Sequence, residues 1–216
     1  MAQFSFRDRL PRFIAFAALV VLIFGAVPVM ARPLKLVAFG DSLTAGYLLP
    51  ADKVFPVVLE KALRAKGHDV TVINGGVSGD TTSGGLERLD WTVPDGTDGV
   101  ILELGANDAL RGLDPSIPRA ALTEIVTRLQ SRKIKVMLAG MMAPRNLGAT
   151  YVDSFDAIFP SLAKDKELIL YPFFLDGLVG QPQLLQQDGL HPTAEGVDEI
   201  VRRILPTVER FIATLN

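Results

Sequence analysis

Four short polar segments of this chain carry side chains whose types and spacing point to a reaction. They are GDSL at 40–43, NGGVSGD at 74–80, GAND at 105–108 and DGLHP at 188–192. Together they supply a serine hydroxyl, glycine-rich backbone amides, a carboxamide, and a carboxylate shortly before an imidazole. A hydroxyl, a base and a set of hydrogen-bond donors are what acyl transfer requires. The segments therefore predict a serine nucleophile that attacks a carbonyl carbon.

Each of these residues has a predicted role. A serine hydroxyl needs a neighbouring base, and histidine titrates nearest to neutral pH, so Ser42 is the predicted nucleophile and His191 the predicted base. Asp188 lies close enough in sequence to orient the imidazole and stabilise its charged form. The amides of Ser42 and Gly79 and the side chain of Asn107 are the predicted oxyanion-hole donors. The chain has no cysteine, which excludes a thiol nucleophile and thiolate metal ligands.

This chemistry needs a scaffold that brings the four segments together, and the hydrophobic pattern predicts one. Short apolar runs alternate with amphipathic ones, which indicates an α/β fold with a parallel sheet and helices on both faces. The predicted strands are 34–40, 70–75, 99–105, 135–140 and 167–174, and the predicted helices are 54–67, 81–89, 118–132, 150–165 and 193–216, the last disturbed near Pro206. Ligands of such sheets bind beyond the carboxyl ends of the strands, where the polar segments follow.

Taken in order, the four segments resemble the sequence blocks of the GDSL, or SGNH, hydrolase family, in particular its bacterial thioesterase/lysophospholipase and arylesterase branch. Ser42 lies in GDSLTAGY, Gly79 in NGGVSGDTT, Asn107 in LGANDALRG and His191 in DGLHP. The resemblance covers nearly the whole chain outside its N-terminal segment. It implies a flavodoxin-like, three-layer α/β/α sandwich with a five-stranded parallel sheet. It also implies a Ser42–His191–Asp188 triad, with no metal and no other cofactor.

The predicted reaction is hydrolysis of carboxylic esters, and of acyl thioesters or lysophospholipids, through an acyl-enzyme intermediate. The expected partner is a small acyl ester or thioester. A carbohydrate O-deacetylase of the same superfamily stays open as an alternative. So does a flavin- or nucleotide-binding module, although GDSLTAGY lacks the lysine of a phosphate-binding loop. With a formal net charge of −2 and 7% aromatic residues, nothing predicts nucleic-acid binding.

Residues 1–31 have the pattern of a secretory signal peptide. Arginines precede an apolar stretch at 13–30, and Val29-Met30-Ala31 is typical of a cleavage site, so we expect cleavage after Ala31. An uncleaved membrane anchor is the alternative, because the apolar stretch is about long enough to span a bilayer. Removing three arginines and one aspartate changes the formal net charge from −2 to −4. The expected product is a domain of residues 32–216, periplasmic or secreted, with no stable membrane insertion.

The stretch after Asn107 predicts contacts with the substrate. Leu110 and Leu113 are apolar residues in a glycine-containing segment, 109–114, that we expect to be a flexible, exposed loop. An acyl chain would give both leucines a surface to cover. The alternative is that they pack on the adjoining helix.

The remaining polar and aromatic residues of interest have structural interpretations. We expect Asp41 to shape the loop beside the nucleophile and Glu103 to brace the glycine-rich loops through hydrogen bonds. Asp176 is a spare candidate for the triad acid, and His68 is expected in a solvated turn. Trp91 and the phenylalanines are expected in the core.

Overall fold

Five parallel strands form a sheet in the order β2-β1-β3-β4-β5. A computed structural model describes residues 32–215. The strands are β1 Leu34–Gly40, β2 Val70–Gly76, β3 Gly99–Glu103, β4 Lys135–Ala139 and β5 Ile169–Tyr171. The predicted five-stranded parallel sheet is therefore confirmed.

Helices cover both faces of this sheet. They are α1 Ser42–Ala45, α2 Phe55–Ala65, α3 Thr82–Thr92, α4 Ala106–Leu110, α5 Ser116–Ser131, α6 Ala149–Asp156, α7 Ile158–Asp165 and α8 Ala194–Ile212, with 3-10 turns at Arg145–Leu147 and Pro182–Leu184. The chain runs outward from β1 to β2 and then back past β1 to β3, and right-handed crossovers in opposite directions place α2 and α3 on opposite faces. On one face α2 packs against α8, and on the other α3 and α7 pack against α5. This is the three-layer sandwich expected from the sequence.

The strand register brings the carboxyl ends of the central strands level with one another. Gly40 pairs with Gly76 on one side and with Glu103 on the other, and Glu103 pairs with Ala139. The order of connections reverses between β1 and β3, so a crevice opens beyond the ends of these two strands. The loops that follow β1 and β3 lie at this crevice.

Prolines explain two of the differences from the predicted elements. The predicted helix 150–165 is two helices, because Pro160 has no N–H to donate to the Asp156 carbonyl. The predicted strand 167–174 is reduced to β5, which ends where Pro172 follows Tyr171. The last helix, by contrast, runs unbroken past Pro206, whose exposed position leaves the Arg202 carbonyl near water.

Trp91 is not a core residue, contrary to the sequence-based expectation, since its side chain is 90% exposed. The buried positions of α3 are Thr82, Gly85 and Leu89. Trp91 follows Leu89 by two residues and is rotated about 200° from it around the helix axis. The large buried aromatic residues are instead the phenylalanines Phe39, Phe55, Phe155, Phe159, Phe174 and Phe211.

The predicted signal peptide, its cleavage after Ala31 and the anchor alternative lie outside the described residues. Residues 33–215 belong to one compact unit. Within residues 32–215, no helix combines the length and apolar character needed to cross a membrane. His68 is half-buried rather than solvated, and its Nε2 lies 3.2 Å from Oε1 of Glu209.

Candidate active site

Ser42 is the first residue of α1, directly beyond the carboxyl end of β1. The carboxylate of Asp41 accepts a hydrogen bond of 3.0 Å from the Leu43 amide and so caps this short helix. Gly46 ends the helix with φ +83°, a left-handed conformation that favours glycine. These constraints fix a tight turn that holds the Ser42 hydroxyl at the crevice, with 8% of the residue exposed.

Ser42, His191 and Asp188 form a continuous chain of hydrogen bonds. Oγ of Ser42 lies 2.8 Å from Nε2 of His191, and Nδ1 of the same ring lies 2.7 Å from Oδ2 of Asp188. This arrangement fits the tautomer in which Nδ1–H donates to the carboxylate and Nε2 accepts from the serine. The structure thus brings together the nucleophile, base and acid predicted from sequence.

The loop before α8 fixes the orientation and the charge of Asp188, the acid of the hydrogen-bonded chain. Oδ1 of Asp188 accepts hydrogen bonds from the amides of Leu190 and His191, at 2.9 and 3.0 Å. Desolvation opposes the charged carboxylate, but the two amides and the imidazole outweigh it and lower the pKa of Asp188 to about 2. Asp188 is therefore an anion at any pH where the imidazole can act as a base.

Two residues that sequence reasoning missed hold the imidazole in place. The ring of Tyr47 lies over that of His191, with centroids 4.5 Å apart. Nε2 of Gln186 donates to the carbonyls of Tyr47 and Pro192, and the Gln186 amide donates to the His191 carbonyl. Gln186 therefore ties the loop after α1 to the histidine loop. A signal for Tyr47 was its place at the end of GDSLTAGY, whereas Gln186 had none.

The three predicted oxyanion donors follow the carboxyl ends of β1, β2 and β3. Asn107 is in α4, and its Nδ2 donates to Oδ2 of Asp41 at 3.1 Å, which leaves the second Nδ2 hydrogen for another acceptor. Gly79 is exposed, with φ +85° and open space where a Cβ would project. Among the described residues, no hydrogen-bond acceptor engages the amides of Ser42 or Gly79.

A pair of buried carboxyl groups lies beneath the serine turn. Oε2 of Glu103 accepts from the Thr44 hydroxyl at 2.8 Å and from the Asp41 amide at 3.4 Å. Burial, and next the charge of Asp41, raise the pKa of Glu103 well above its usual 4.5, while burial raises that of Asp41 to about 6. A Cβ at Gly40 would collide with Glu103 and Thr44, so only glycine fits there. These contacts support the bracing role expected for Glu103.

Asp108 makes a similar connection on the other side of Asn107. It is fully buried, and its two oxygens accept from the amide and the hydroxyl of Thr82, at 2.9 and 2.7 Å. The start of α3 is thereby tied to α4. Burial raises the pKa of Asp108.

An apolar cleft of about 340 Å³ opens beside Ser42 and His191. Its walls include Leu110, Met141, Met142, Phe173, Leu175 and Val179. Leu113 does not line it: the residue is half-buried, its amide donates to the Asp108 carbonyl and its own carbonyl accepts from the Tyr151 hydroxyl. The segment after Asn107 also begins as helix α4 rather than as a loop. Of the two leucines predicted to contact the substrate, Leu110 lines the cleft and Leu113 does not.

The other sequence candidates lie away from this chemistry. Asp176, the spare triad acid, pairs with Arg203 at 2.9 Å. In the described part of the chain, no cluster of three His, Asp or Glu side chains has the geometry to hold a metal ion.

The chain is similar to a known family of proteins. A model of the GDSL-like Lipase/Acylhydrolase family matches residues 38–198. An arylesterase of Vibrio mimicus is 43% identical over 162 residues, which span 74% of this chain and 81% of the relative. The Thioesterase 1/protease 1/lysophospholipase L1 of Escherichia coli (strain K12) is 34% identical over 208 residues, or 94% of this chain and 95% of the relative.

Solved structures agree with these relatives. The structure of AlinE4, described as a SGNH-hydrolase family esterase, is 46% identical, covers 84% of this chain and 97% of its own, and gives a TM-score of 0.71. The family match spans every residue of the hydrogen-bonded chain and of the predicted oxyanion hole. The protein therefore belongs to the GDSL-like lipase/acylhydrolase family.

Proposed function

We propose that this protein is a serine esterase that hydrolyses acyl esters through a covalent intermediate on Ser42. The observation that carries the proposal is the hydrogen-bonded chain from Ser42 through His191 to Asp188, with its serine end at the mouth of an apolar cleft. The names of the relatives, which include arylesterase and thioesterase/lysophospholipase, support ester-bond hydrolysis.

In the acylation step, Nε2 of His191 takes the Ser42 hydroxyl proton while Oγ attacks the carbonyl carbon of the ester. The carbonyl π electrons move to oxygen and form a tetrahedral oxyanion. When this intermediate collapses, the bond to the leaving alcohol or thiol breaks and the imidazolium returns the proton to that group. Water then repeats the sequence on the acyl-enzyme and releases the carboxylic acid. The Asp188 carboxylate stabilises the imidazolium in both halves.

The oxyanion in this proposal is held by the amides of Ser42 and Gly79 and by Nδ2 of Asn107. Two features support the assignment: neither amide is engaged by a described residue, and Asp41 orients the Asn107 amide. Preorganised donors of this kind stabilise charge that develops only in the transition state, so they act on kcat.

The cleft favours a substrate with an aliphatic acyl chain. Its lining is dominated by leucine, methionine, phenylalanine and valine side chains, whereas an acetylated sugar would need hydrogen-bonding groups there. Each buried methylene contributes about 0.8 kcal/mol, so kcat/KM should rise about fourfold per methylene until the cleft is full. A flavin- or nucleotide-binding role would leave the Ser42–His191–Asp188 chain without a purpose.

The experiment is hydrolysis of p-nitrophenyl esters of graded chain length by wild type, Ser42→Ala and the control Ser154→Ala. Ser154 is an exposed serine of α6 whose hydroxyl donates to the Thr150 carbonyl. We expect Ser42→Ala to fold normally and to lose about 10⁴–10⁶ in kcat, as removal of a catalytic serine does in other hydrolases. The control should match wild type. Near-normal turnover by Ser42→Ala would refute the proposal.

We also propose that residues 1–31 export the protein to the periplasm or beyond and are then removed. The support is the arginine-flanked apolar stretch and the small residue at Ala31. Intact-mass measurement on protein from a periplasmic extract should give an N-terminus at Arg32. Recovery of the full-length chain in the membrane fraction would favour the anchor instead.

A further inference from the structure

We propose that Arg88 is a positioning residue that fixes the two backbone donors of the oxyanion hole, the amides of Ser42 and Gly79. The inference rests on the proposed function and assigns a role to a residue that does not line the cleft. Arg88 is in the second turn of α3, and its side chain is 18% exposed.

The guanidinium of Arg88 joins the ends of two strands and the loop after them. Nη2 donates to the Gly40 carbonyl and Nη1 to the Gly75 carbonyl, both at 2.8 Å. Nε donates to the carboxylate of Asp80 at 2.5 Å. The group also lies 4.3 Å above the centre of the Phe39 ring, a favourable place for a cation. One side chain thus connects β1, β2 and the glycine-rich loop.

These contacts hold both ends of the turn that contains Gly79. The Val77 amide donates to the same Gly40 carbonyl that Arg88 binds, at 3.0 Å, and the Asp80 amide donates to the Val77 carbonyl at 3.2 Å. Val77–Asp80 is therefore a closed four-residue turn with Gly79 at its third position, where φ +85° is required. Arg88 fixes the first residue of the turn through Gly40 and the last through the Asp80 side chain.

The hydrogen bond from Arg88 to the Gly40 carbonyl also restrains the turn that contains Ser42. Gly40 is the last residue of β1, and the Ser42 amide follows two residues later. Arg88 therefore fixes the strand end from which the Ser42 amide projects and the turn from which the Gly79 amide projects. One planar group thus contacts both backbone segments that carry these donors.

A second arginine, Arg111, also binds the Val77–Asp80 turn, but it approaches from the other side. Nη2 of Arg111 donates to the Gly79 carbonyl at 2.8 Å from the exposed side. Arg111 can restrain the peptide after Gly79, but in the described part of the chain it makes no hydrogen bond to the strand ends, whereas Arg88 bonds to both. A lysine at position 88 would keep the charge but would lose the fork that reaches three acceptors at once.

The test compares Arg88→Lys and Asp80→Ala with the matched control Arg132→Lys. Arg132 is also largely buried, with its side chain 23% exposed, and its Nη2 donates to the Val93 carbonyl and to Asp95. It lies beside the amino end of β4, at the edge of the sheet opposite the site. Asp80→Ala leaves the strand contacts of Arg88 in place and cuts only its link to the end of the turn.

We expect Arg88→Lys and Asp80→Ala to lower kcat about 10- to 100-fold with KM within about twofold of wild type, since a small misplacement of transition-state donors acts on kcat. Inhibition by an alkylboronic acid, which forms a tetrahedral adduct, should weaken by the same factor, and inhibition by the product fatty acid should not change. Arg132→Lys should lower the melting temperature without changing kcat or boronate inhibition.

The inference is overturned if Arg88→Lys and Asp80→Ala change only the melting temperature, as the control does, or raise KM and leave kcat intact. If Arg88→Lys does not fold, Asp80→Ala decides alone. Activity retained by Ser42→Ala would instead refute the proposed function, so the two failures are separable.

Discussion

Two pairs of side chains flank Ser42. Asp188 and His191 are open to solvent, Asp41 and Glu103 are buried, and the pKa values of the carboxyl groups shift in opposite directions. On the open side, Asp188 receives two amide hydrogen bonds and the imidazole of His191, and its pKa falls to about 2. On the buried side, Asp41 and Glu103 lie next to each other, and burial raises the pKa of both. The balance between burial and hydrogen-bond donors, and not the distance from the serine, decides the charge of a carboxyl group.

The difference assigns separate tasks to the two sides. In the proposed mechanism, the charged Asp188 stabilises the imidazolium during proton transfer, which is a contribution to the reaction itself. Glu103 accepts hydrogen bonds from the Thr44 hydroxyl and from the Asp41 amide. Its raised pKa favours the neutral form, which adds no second charge beneath the nucleophile. The proposal therefore assigns the chemistry to the open side and the maintenance of the geometry to the buried side. The predictions below separate these contributions.

The largest effect is expected for Asp188→Asn. An asparagine side chain can hold the imidazole in the wrong tautomer, and the equivalent change in a serine protease lowers kcat about 10⁴-fold. Asp176→Asn is the matched control, because this exposed aspartate pairs with Arg203 and lies outside the hydrogen-bonded chain. Steady-state ester hydrolysis measures both. Equal activity of the two variants would show that Asp188 is not the acid of the site.

On the buried side, Glu103→Gln should keep kcat within about threefold of wild type, whereas Glu103→Ala should lower the free energy of unfolding by about 2–5 kcal/mol. Glutamine reproduces the neutral carboxyl group, but alanine leaves the Thr44 hydroxyl and the Asp41 amide buried without an acceptor. Urea unfolding and ester hydrolysis test the pair of variants. If glutamine were as damaging as alanine, Glu103 would have to be ionised.

A smaller effect with a definite sign concerns Asp41. Its pKa rises from 3.8 to about 6 on folding, so the unfolded chain loses this proton first as pH rises, and wild-type stability falls between about pH 4 and 6. The penalty amounts to about 2–3 kcal/mol and should be missing in Asp41→Asn. Urea unfolding across this range measures the free energy of unfolding of both proteins. The difference between the two values should become smaller toward pH 4. A constant difference would mean that Asp41 does not titrate there.

Asp188 provides an internal control, because its contribution to stability changes with pH in the opposite direction. Its folded pKa lies below its usual 3.8, so its contribution to stability is present above that pH and is lost as pH falls toward 2. Asp188→Asn should therefore lose less stability than wild type over this acid range. If both aspartates changed the free energy of unfolding in the same direction as pH rises, the contrast between the two sides would be contradicted.

Much of this arrangement was predictable because parallel strands end at the same edge of a sheet. Once β1 and β3 were identified as strands, Ser42 and Asn107 had to lie at one crevice. Asp188 and His191 needed only a short loop to meet. Prediction succeeded where function depends on residues that directly follow a regular element.

Prediction failed where a residue acts through the packing of a helix. Arg88 is a charged residue on a mostly polar helix, and nothing in GGLERL indicates that its guanidinium reaches the ends of β1 and β2. Trp91 was placed in the core on its residue type, although its position two residues after Leu89 turns it to solvent. Leu113 was grouped with Leu110, but the end of α4 separates them. Each case depends on the rotation or end of a helix, which local composition does not specify.

The central claim is that Ser42 is the nucleophile and that His191 activates it. Reaction with a fluorophosphonate, followed by intact-mass measurement and peptide mapping, tests this most directly. The account predicts one adduct, on the peptide that contains Ser42, and labelling of His191→Ala at least about 10³-fold slower, because a serine hydroxyl without its base is a weak nucleophile. An adduct on any other residue, or equally fast labelling without His191, would contradict it.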